Sequence, residues 1–367
     1  MIGMRVVAAV CAVVCALALV AGCGGEVAPA APSSSAPDVV ARLEQAVSPL
    51  ERQGFRGVVE VRRDGRVLLA RAFGDADTAA GRRNALGTRF RVASVTKQFT
   101  AVAVLLLQEQ GRLKVTDPAC AHLPSCVPAW SAVTLEQLIT HTAGVVEDVA
   151  DAHAERVALL APKPTHAELA AVVMARPLGT AGTWAYSNAG YAVLGAVVEH
   201  VTGQTYGAFL RASLLDPLGM GDSGTDWPAA DPTTRAVGYA APTTPAEPVD
   251  HELQADGALY ATTADLARWN TFLLTGTPPL LTPATRDLVL APAVPIPGMS
   301  ARYGYGVQTW REGRDAAVEH NGRLPGFRTY NGIHPGTRTS VTVFTNLDTF
   351  DPSTSGHSLM DVAIRYP

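Results

Sequence analysis

The sequence predicts an α+β fold: an antiparallel β-sheet flanked by helices, together with an all-helical subdomain. Strand-type runs lie at both ends of the chain and long apolar helical runs fill its middle, a distribution that disfavours a doubly wound parallel sheet. Near the start, Gly57 to Val61 and Val67 to Phe73 flank Arg63-Asp64-Gly65-Arg66, and two β-rich runs around an Asp-Gly pair read as a hairpin. Near the end, Tyr330 to His334 and Ser340 to Thr345 flank Pro335-Gly336 as a second hairpin, and Tyr303 to Trp310 reads as one further strand. Between them, Ala93 to Gln110 is a long apolar helix stopped by Gly111. Ala189 to Val201 runs into Gly203 in the same way, and Thr263 to Leu274 is capped by Thr262-Thr263 and ends before Gly276.

Composition bounds what the chain can be. With 367 residues, 47% of them hydrophobic and 17% charged, the chain can bury a sizeable core and is not a disordered protein. A formal net charge of −4 gives no reason to expect nucleic acid as a partner. From about Asp38 to Pro367 there is no second linker and no internal repeat, so residues 39–367 read as one domain. Lys97, Lys114 and Lys163 are the only lysines among 29 cationic residues. In so arginine-biased a chain, each lysine is worth a question.

The N-terminus reads as an export signal over residues 1–22. Arg5 precedes the apolar run Val6 to Ala21, which is short for a spanning helix, since that needs roughly 20 residues. The run ends in Leu19-Val20-Ala21-Gly22-Cys23, which resembles a bacterial lipobox and implies lipidation of Cys23 after cleavage. Residues 23–38 are rich in Pro, Ala and Ser without apolar period and read as a tether. The expected location is the outer face of the bacterial cytoplasmic membrane, held by lipid. Cys11 and Cys15 leave with the signal. Cys120 and Cys126 remain in the folded part and read as a local disulfide, with two free thiols as the alternative. No second cysteine pair lies nearby to suggest a zinc site.

Three short motifs carry chemistry. Ser94-Val95-Thr96-Lys97 opens the first long helix, where positions i and i+3 share a face, so hydroxyl and amine can meet. The free N–H groups of that first turn can stabilise an oxyanion at the serine. A helix N-terminus and burial both disfavour a further positive charge, and a neutral amine is a base whereas a guanidinium is not. Chance gives roughly 0.1 such spacings in this composition. Tyr186-Ser187-Asn188 precedes the next helix. A phenol beside an ammonium can accept the serine proton, and the amide can point the same way, although a turn with an Asn cap would give the same letters. Chance gives roughly 0.15 of these. His320-Asn321-Gly322 lies on or beside a C-terminal strand, where a glycine lets substrate lie along the strand edge. This spacing is expected roughly 0.8 times by chance, and His334-Pro335-Gly336 matches it too, but in the hairpin turn.

Together these residues resemble the serine β-lactamase and penicillin-binding-protein superfamily, in the branch of class C β-lactamases, DD-peptidases and related esterases. That family's motifs are Ser-x-x-Lys, Tyr-x-Asn and Lys-Thr-Gly or His-x-Gly, in that order. Val133 to Gly144, Gly190-Tyr191 with Leu194-Gly195, Pro217 to Met220, Tyr260 to Trp269 and Pro325-Gly326-Phe327 match it as well. The resemblance spans about Phe55 to Asn346 and implies an α/β part and an all-helical part with the site between them. It implies Ser94 as acylated nucleophile, Lys97 and Tyr186 as shared acid and base, Asn188 orienting Lys97 and the substrate amide, and His320 replacing the third-motif lysine. It also implies an oxyanion hole from the N–H groups of Ser94 and Arg323, beside Gly322. No metal or cofactor is implied. The partner is a small-molecule or peptide substrate, cell-wall peptide included.

Two departures matter. His320 stands where a lysine would fix a substrate carboxylate, and Asn321 stands where threonine would add a hydroxyl. Arg323 or Arg328 is the candidate to supply the charge instead. Other motifs fail: His251-Glu252 has Ala255 where a zinc protease needs histidine, and Gly221 to Gly224 lacks a histidine-bearing partner motif. His141 reads as structural. The expected activity is acyl-enzyme hydrolysis of D-alanyl-D-alanine-type peptides or small esters and amides. The alternatives are a class C-like β-lactamase and a non-catalytic cell-surface binding lipoprotein on the same scaffold.

Overall fold

A computed structural model describes residues 36–145, 164–227, 232–247, 255–311 and 316–366. The signal sequence, Cys23, most of the tether and His251-Glu252 lie outside the described residues. Within residues 34–367, which form one compact unit, the first element is α1, Ala36–Arg52. It therefore begins inside the stretch read as a tether. Its Val39, Leu43, Val47 and Leu50 recur at helical spacing and are all buried.

The main sheet starts with β1 (Gly57–Arg63) and β2 (Arg66–Phe73), the first expected hairpin. Its turn residues Asp64 and Gly65 both have positive φ, 49° and 74°, as the tight turn requires. Short ribbons follow: β3 (Asp75–Asp77) with β4 (Arg82–Arg83), β5 (Phe90–Arg91) with β8 (Tyr260–Ala261), and β6 (Tyr239–Ala241) with β7 (Thr244–Pro245). The remaining sheet strands are β9 (Val294–Pro295), β10 (Arg302–Tyr303), β11 (Gln308–Arg311), β12 (Ala317–Leu324), β13 (Phe327–His334) and β14 (Thr339–Thr345). All eight pair antiparallel in the order β2-β1-β14-β13-β12-β11-β10-β9, so the two ends of the chain meet at the β1–β14 seam.

The expected single strand Tyr303 to Trp310 is corrected to two. Gly304 to Val307 turns the chain between β10 and β11, with Gly304 N–H donating to Val307 O at 2.9 Å. The reason is contact: Gly306, at φ +76°, packs on the backbone of Lys97 and Gln98, and a Cβ there would lie 2.6 Å from Lys97 O.

Each sheet face has its own core. On one face α1 and the C-terminal helix Pro352–Arg365 cover Val59, Val61, Val341 and Val343 through Leu43, Leu359 and Met360. On the other lie α2 (Thr96–Glu109) and the helix Thr263–Thr275, whose Phe99 and Trp269 rings stack at 3.8 Å. Gln98 Oε1 accepts the Trp269 indole N–H at 2.9 Å, so the buried indole keeps its hydrogen bond. Beyond α2 a helical layer includes α3 (Leu135–Ile139) and the helices His166–Met174 and Asn188–Thr202. Cys120 and Cys126 are disulfide-bonded beside it, with Cα atoms 5.3 Å apart. No helix among the described residues is long and apolar enough to cross a membrane.

The burial of α1 gives a direct test. Leu43→Ala should lower the unfolding free energy by about 2–5 kcal/mol, read from chemical denaturation. A loss below about 0.5 kcal/mol would mean that α1 does not belong to the folded core.

Candidate active site

Ser94 is delivered by a sharp bend. The chain leaves β5, Val92 N–H donates to Leu259 O at 2.9 Å, and Ala93 adopts φ +50°, unusual for a residue with a side chain. A single 3₁₀ turn, Ala93–Val95, then runs into α2. One turn on, Lys97 is fully buried beneath the half-buried serine. Its Nζ lies 3.1 Å from Ser94 Oγ, 2.6 Å from Asn188 Oδ1 and 3.0 Å from the carbonyl oxygen of Asp256. The segment carrying that carbonyl is tied to α2: Leu259 N–H donates to Thr96 Oγ1 at 3.0 Å and Thr100 Oγ1 donates to Ala255 O at 2.5 Å.

The second motif arrives on the start of the helix Asn188–Thr202. The cap is Ser187, whose hydroxyl accepts from Gly190 N–H at 3.1 Å, so Asn188 is not the cap and is left to meet Lys97. The Tyr186 ring centroid is 4.9 Å from Lys97 Nζ, and that of Tyr191 5.3 Å, so two aromatic faces flank the amine.

The third motif lies on β12. Gly322 presses against the bend before Ser94, and a Cβ there would fall 2.2 Å from Val92 O and 3.0 Å from Ala93 Cβ. This brings the backbone of Arg323 alongside Ser94. Strand β11 pairs with β12 only as far as Glu319, so among the described residues the edge beyond it has no neighbouring strand. His320 is buried, with Nδ1 2.7 Å from Asn321 O and Nε2 3.0 Å from the Tyr303 hydroxyl. Its Nδ1–H donates to the carbonyl and Nε2 accepts from the phenol. Burial, helped by the charge of Lys97, pushes this imidazole down to about 3. It is therefore neutral and carries no fixed charge for a carboxylate.

The arginines do not replace that charge. Arg328 pairs with Asp348 at 3.5 Å. Arg323 is its cross-strand partner and shares its face, opposite the face on which Gly322 meets Ala93. The site thus gathers Ser94, Lys97, Tyr186, Asn188, His320 and Gly322, and leaves both guanidinium groups on the other side of the sheet. Sequence patterns missed two members. The Asp256 carbonyl is backbone and has no side-chain signature; Tyr303 was legible only as a strand residue. Among the described residues no cluster of three or more His, Cys, Asp or Glu is placed to hold a metal ion.

The buried His320 has a consequence for stability. An unfolded imidazole takes its proton near 6.5 and this one only near 3, so below about pH 6.5 the unfolded chain binds more protons. Stability should fall as pH drops from about 6.5 toward 3 and be insensitive to this group above it. His320→Gln should make the fall in Tm with acid shallower. An unchanged slope would contradict the assignment.

The comparisons with known proteins agree with this geometry. The family model described as Beta-lactamase matches residues 41–361. Penicillin-binding protein 4* of Bacillus subtilis (strain 168) is 26% identical over 307 residues, covering 76% of this chain and 65% of that protein. Esterase EstB of Burkholderia gladioli is 36% identical over 228 residues, 58% of this chain and 57% of that protein. The chain thus spans less than two thirds of either relative. The structure of an octameric penicillin-binding protein homologue from Pyrococcus abyssi superposes with a TM-score of 0.78 at 25% identity, over 89% of this chain and 77% of that one. A match of that extent, on a fold with the motifs in the order already described, shows that the chain belongs to the Beta-lactamase family.

Proposed function

We propose that the protein is a serine hydrolase that works through an acyl-enzyme, on D-alanyl-D-alanine-type peptides or on small esters and amides. The observation that carries this reading is the set of three oxygens around Lys97 Nζ. Asn188 Oδ1 and the Asp256 carbonyl can only accept, so they fix two N–H directions. What remains of the nitrogen faces Ser94 Oγ. It is a third N–H when the lysine is protonated and a lone pair when it is neutral.

In the neutral form, that lone pair is aimed to receive the serine proton, with Tyr186 at the same corner as its partner in proton transfer. Ser94 Oγ then bonds to the substrate carbonyl carbon. The developing oxyanion is held by the N–H groups of Ser94 and Arg323. The carbon–leaving-group bond breaks, the departing amine or alcohol takes the proton, and the acyl group stays on Ser94. Water repeats the sequence in reverse and frees the acid. The names of the two relatives, one a penicillin-binding protein and one an esterase, support both substrate classes. The neutral His320 supplies no charge for a substrate carboxylate, which a β-lactam and the terminus of a D-alanyl-D-alanine peptide both carry, so it weighs on both of those classes and not on esters or amides without one. Catalysis would take place at the membrane surface if Cys23 carries lipid.

A panel of a D-alanyl-D-alanine peptide, p-nitrophenyl esters and a chromogenic cephalosporin tests this. Wild type should turn over members of the first two groups and show a covalent mass adduct. Ser94→Ala should lose the adduct and at least about 10³-fold in kcat/KM. Turnover that survives in Ser94→Ala would rule the reading out. Lipidation is tested separately: a clickable fatty acid fed to expressing bacteria should label wild type and not Cys23→Ser, and equal labelling would rule it out.

A further inference from the structure

We propose that His141 is the positioning residue for Tyr186 and Asn188, acting by bracketing the tyrosine's backbone from both sides; this rests on the serine-hydrolase reading of the same site. His141 lies just beyond α3 and is almost wholly buried. Its carbonyl oxygen accepts from Ala185 N–H at 2.8 Å, and its Nδ1 accepts from Ser187 N–H at 3.1 Å. One residue thus holds the main chain immediately before and immediately after Tyr186. The following residue is Asn188, whose Oδ1 is 2.6 Å from Lys97 Nζ, so the second clamp also sets the amide.

The ring adds a lateral constraint. Its centroid is 4.5 Å from that of Tyr186 and 4.6 Å from that of Tyr303, so the imidazole lies against both rings. The neighbouring residues extend the same clamp: Gly182 N–H donates to Thr142 O at 2.8 Å and Gly179 N–H to Gly144 O at 2.6 Å.

The choice of residue follows from two demands. The backbone of His141 has φ +60°, a region in which His, Asn and Asp are enriched among residues with side chains. The buried Ser187 N–H needs an acceptor, because an orphan donor there is costly. Histidine meets both. Burial, together with the charge of Lys97, holds its ring well below the usual imidazole range, which keeps Nδ1 an acceptor. With Nδ1 accepting, the ring proton sits on Nε2, which makes no hydrogen bond to another described residue. The function assigned here needs only the Nδ1 acceptor and the backbone shape. Asparagine offers both.

The test compares full-length wild type, His141→Asn, His141→Phe and Ser94→Ala on a p-nitrophenyl ester, with Tm recorded for each. We expect His141→Asn to keep kcat within about threefold, and His141→Phe to lose about 10²-fold in kcat with KM within about threefold, the size expected for an ångström-scale misplacement. A His141→Phe that keeps kcat overturns the proposal. So does a His141→Asn that loses as much as His141→Phe, because the imidazole itself would then be required. If His141→Phe does not fold, His141→Asn alone decides: retained kcat supports the proposal and lost kcat overturns it. Turnover by Ser94→Ala equal to wild type would overturn the underlying serine mechanism, and this proposal with it, and is distinguishable from every outcome at His141.

Discussion

A lysine amine with no access to solvent is the constraint from which the rest of the site follows. Removing such a group from water is costly unless each of its hydrogens finds an acceptor. Here the acceptors come from three separate stretches of chain: Ser94 at the bend before α2, Asn188 at the next helix start, and the Asp256 carbonyl. Each stretch is anchored near the point of contact. Thr96 and Thr100 hold the 255–259 segment, and Ser187 caps the helix that presents Asn188. Burying Lys97 and bringing Ser94, Asn188 and the Asp256 carbonyl together are therefore the same packing event.

The sheet reaches this centre through one close approach. Thr329 Oγ1 donates to Val92 O at 2.9 Å, and Gly322, its cross-strand neighbour, leaves no side chain between the strand and the bend. A strand thereby lies directly against the bend that leads into a helix start. Any side chain at 322 would push them apart.

How much of this was legible in the sequence depends on whether a residue acts through its side chain or its backbone. The hairpin at Asp64-Gly65 was readable because a tight turn demands those residues, and the helix stop at Gly203 because the left-handed conformation favours glycine. Ser94, Lys97, Tyr186, Asn188 and His320 were readable because their spacings are improbable together. The Asp256 carbonyl was not, since any residue supplies one. Helix α1 was hidden by the Pro/Ala/Ser-rich composition around its start, although Val39, Leu43, Val47 and Leu50 carry a helical period. The break between β10 and β11 came from a tertiary contact of Gly306 with α2 that local propensity cannot report. The positions of Arg323 and Arg328 could be inferred only once the register of β12 against β13 was known, because strand alternation decides which face a side chain takes.

The same division separates the buried centre from the groups that a substrate would meet. Asn188 Oδ1 and the Asp256 carbonyl grip Lys97 beneath Ser94, and these contacts do not depend on what lies above the serine. Discrimination must come from groups that meet the substrate. On the β12 side those are a neutral imidazole with both nitrogens already bonded and an open strand edge, which offer backbone hydrogen bonds and no charge. Elsewhere on the chain, Arg91 of β5 belongs to a different cluster. Trp227 lies between Arg91 at 4.9 Å and Arg235 at 5.6 Å, edge-on to Phe327. Backbone donors such as those of the β12 edge tolerate many acyl groups. On the proposed reading, substrate choice therefore rests with the groups that meet the acyl and leaving groups, apart from the buried contacts of Lys97.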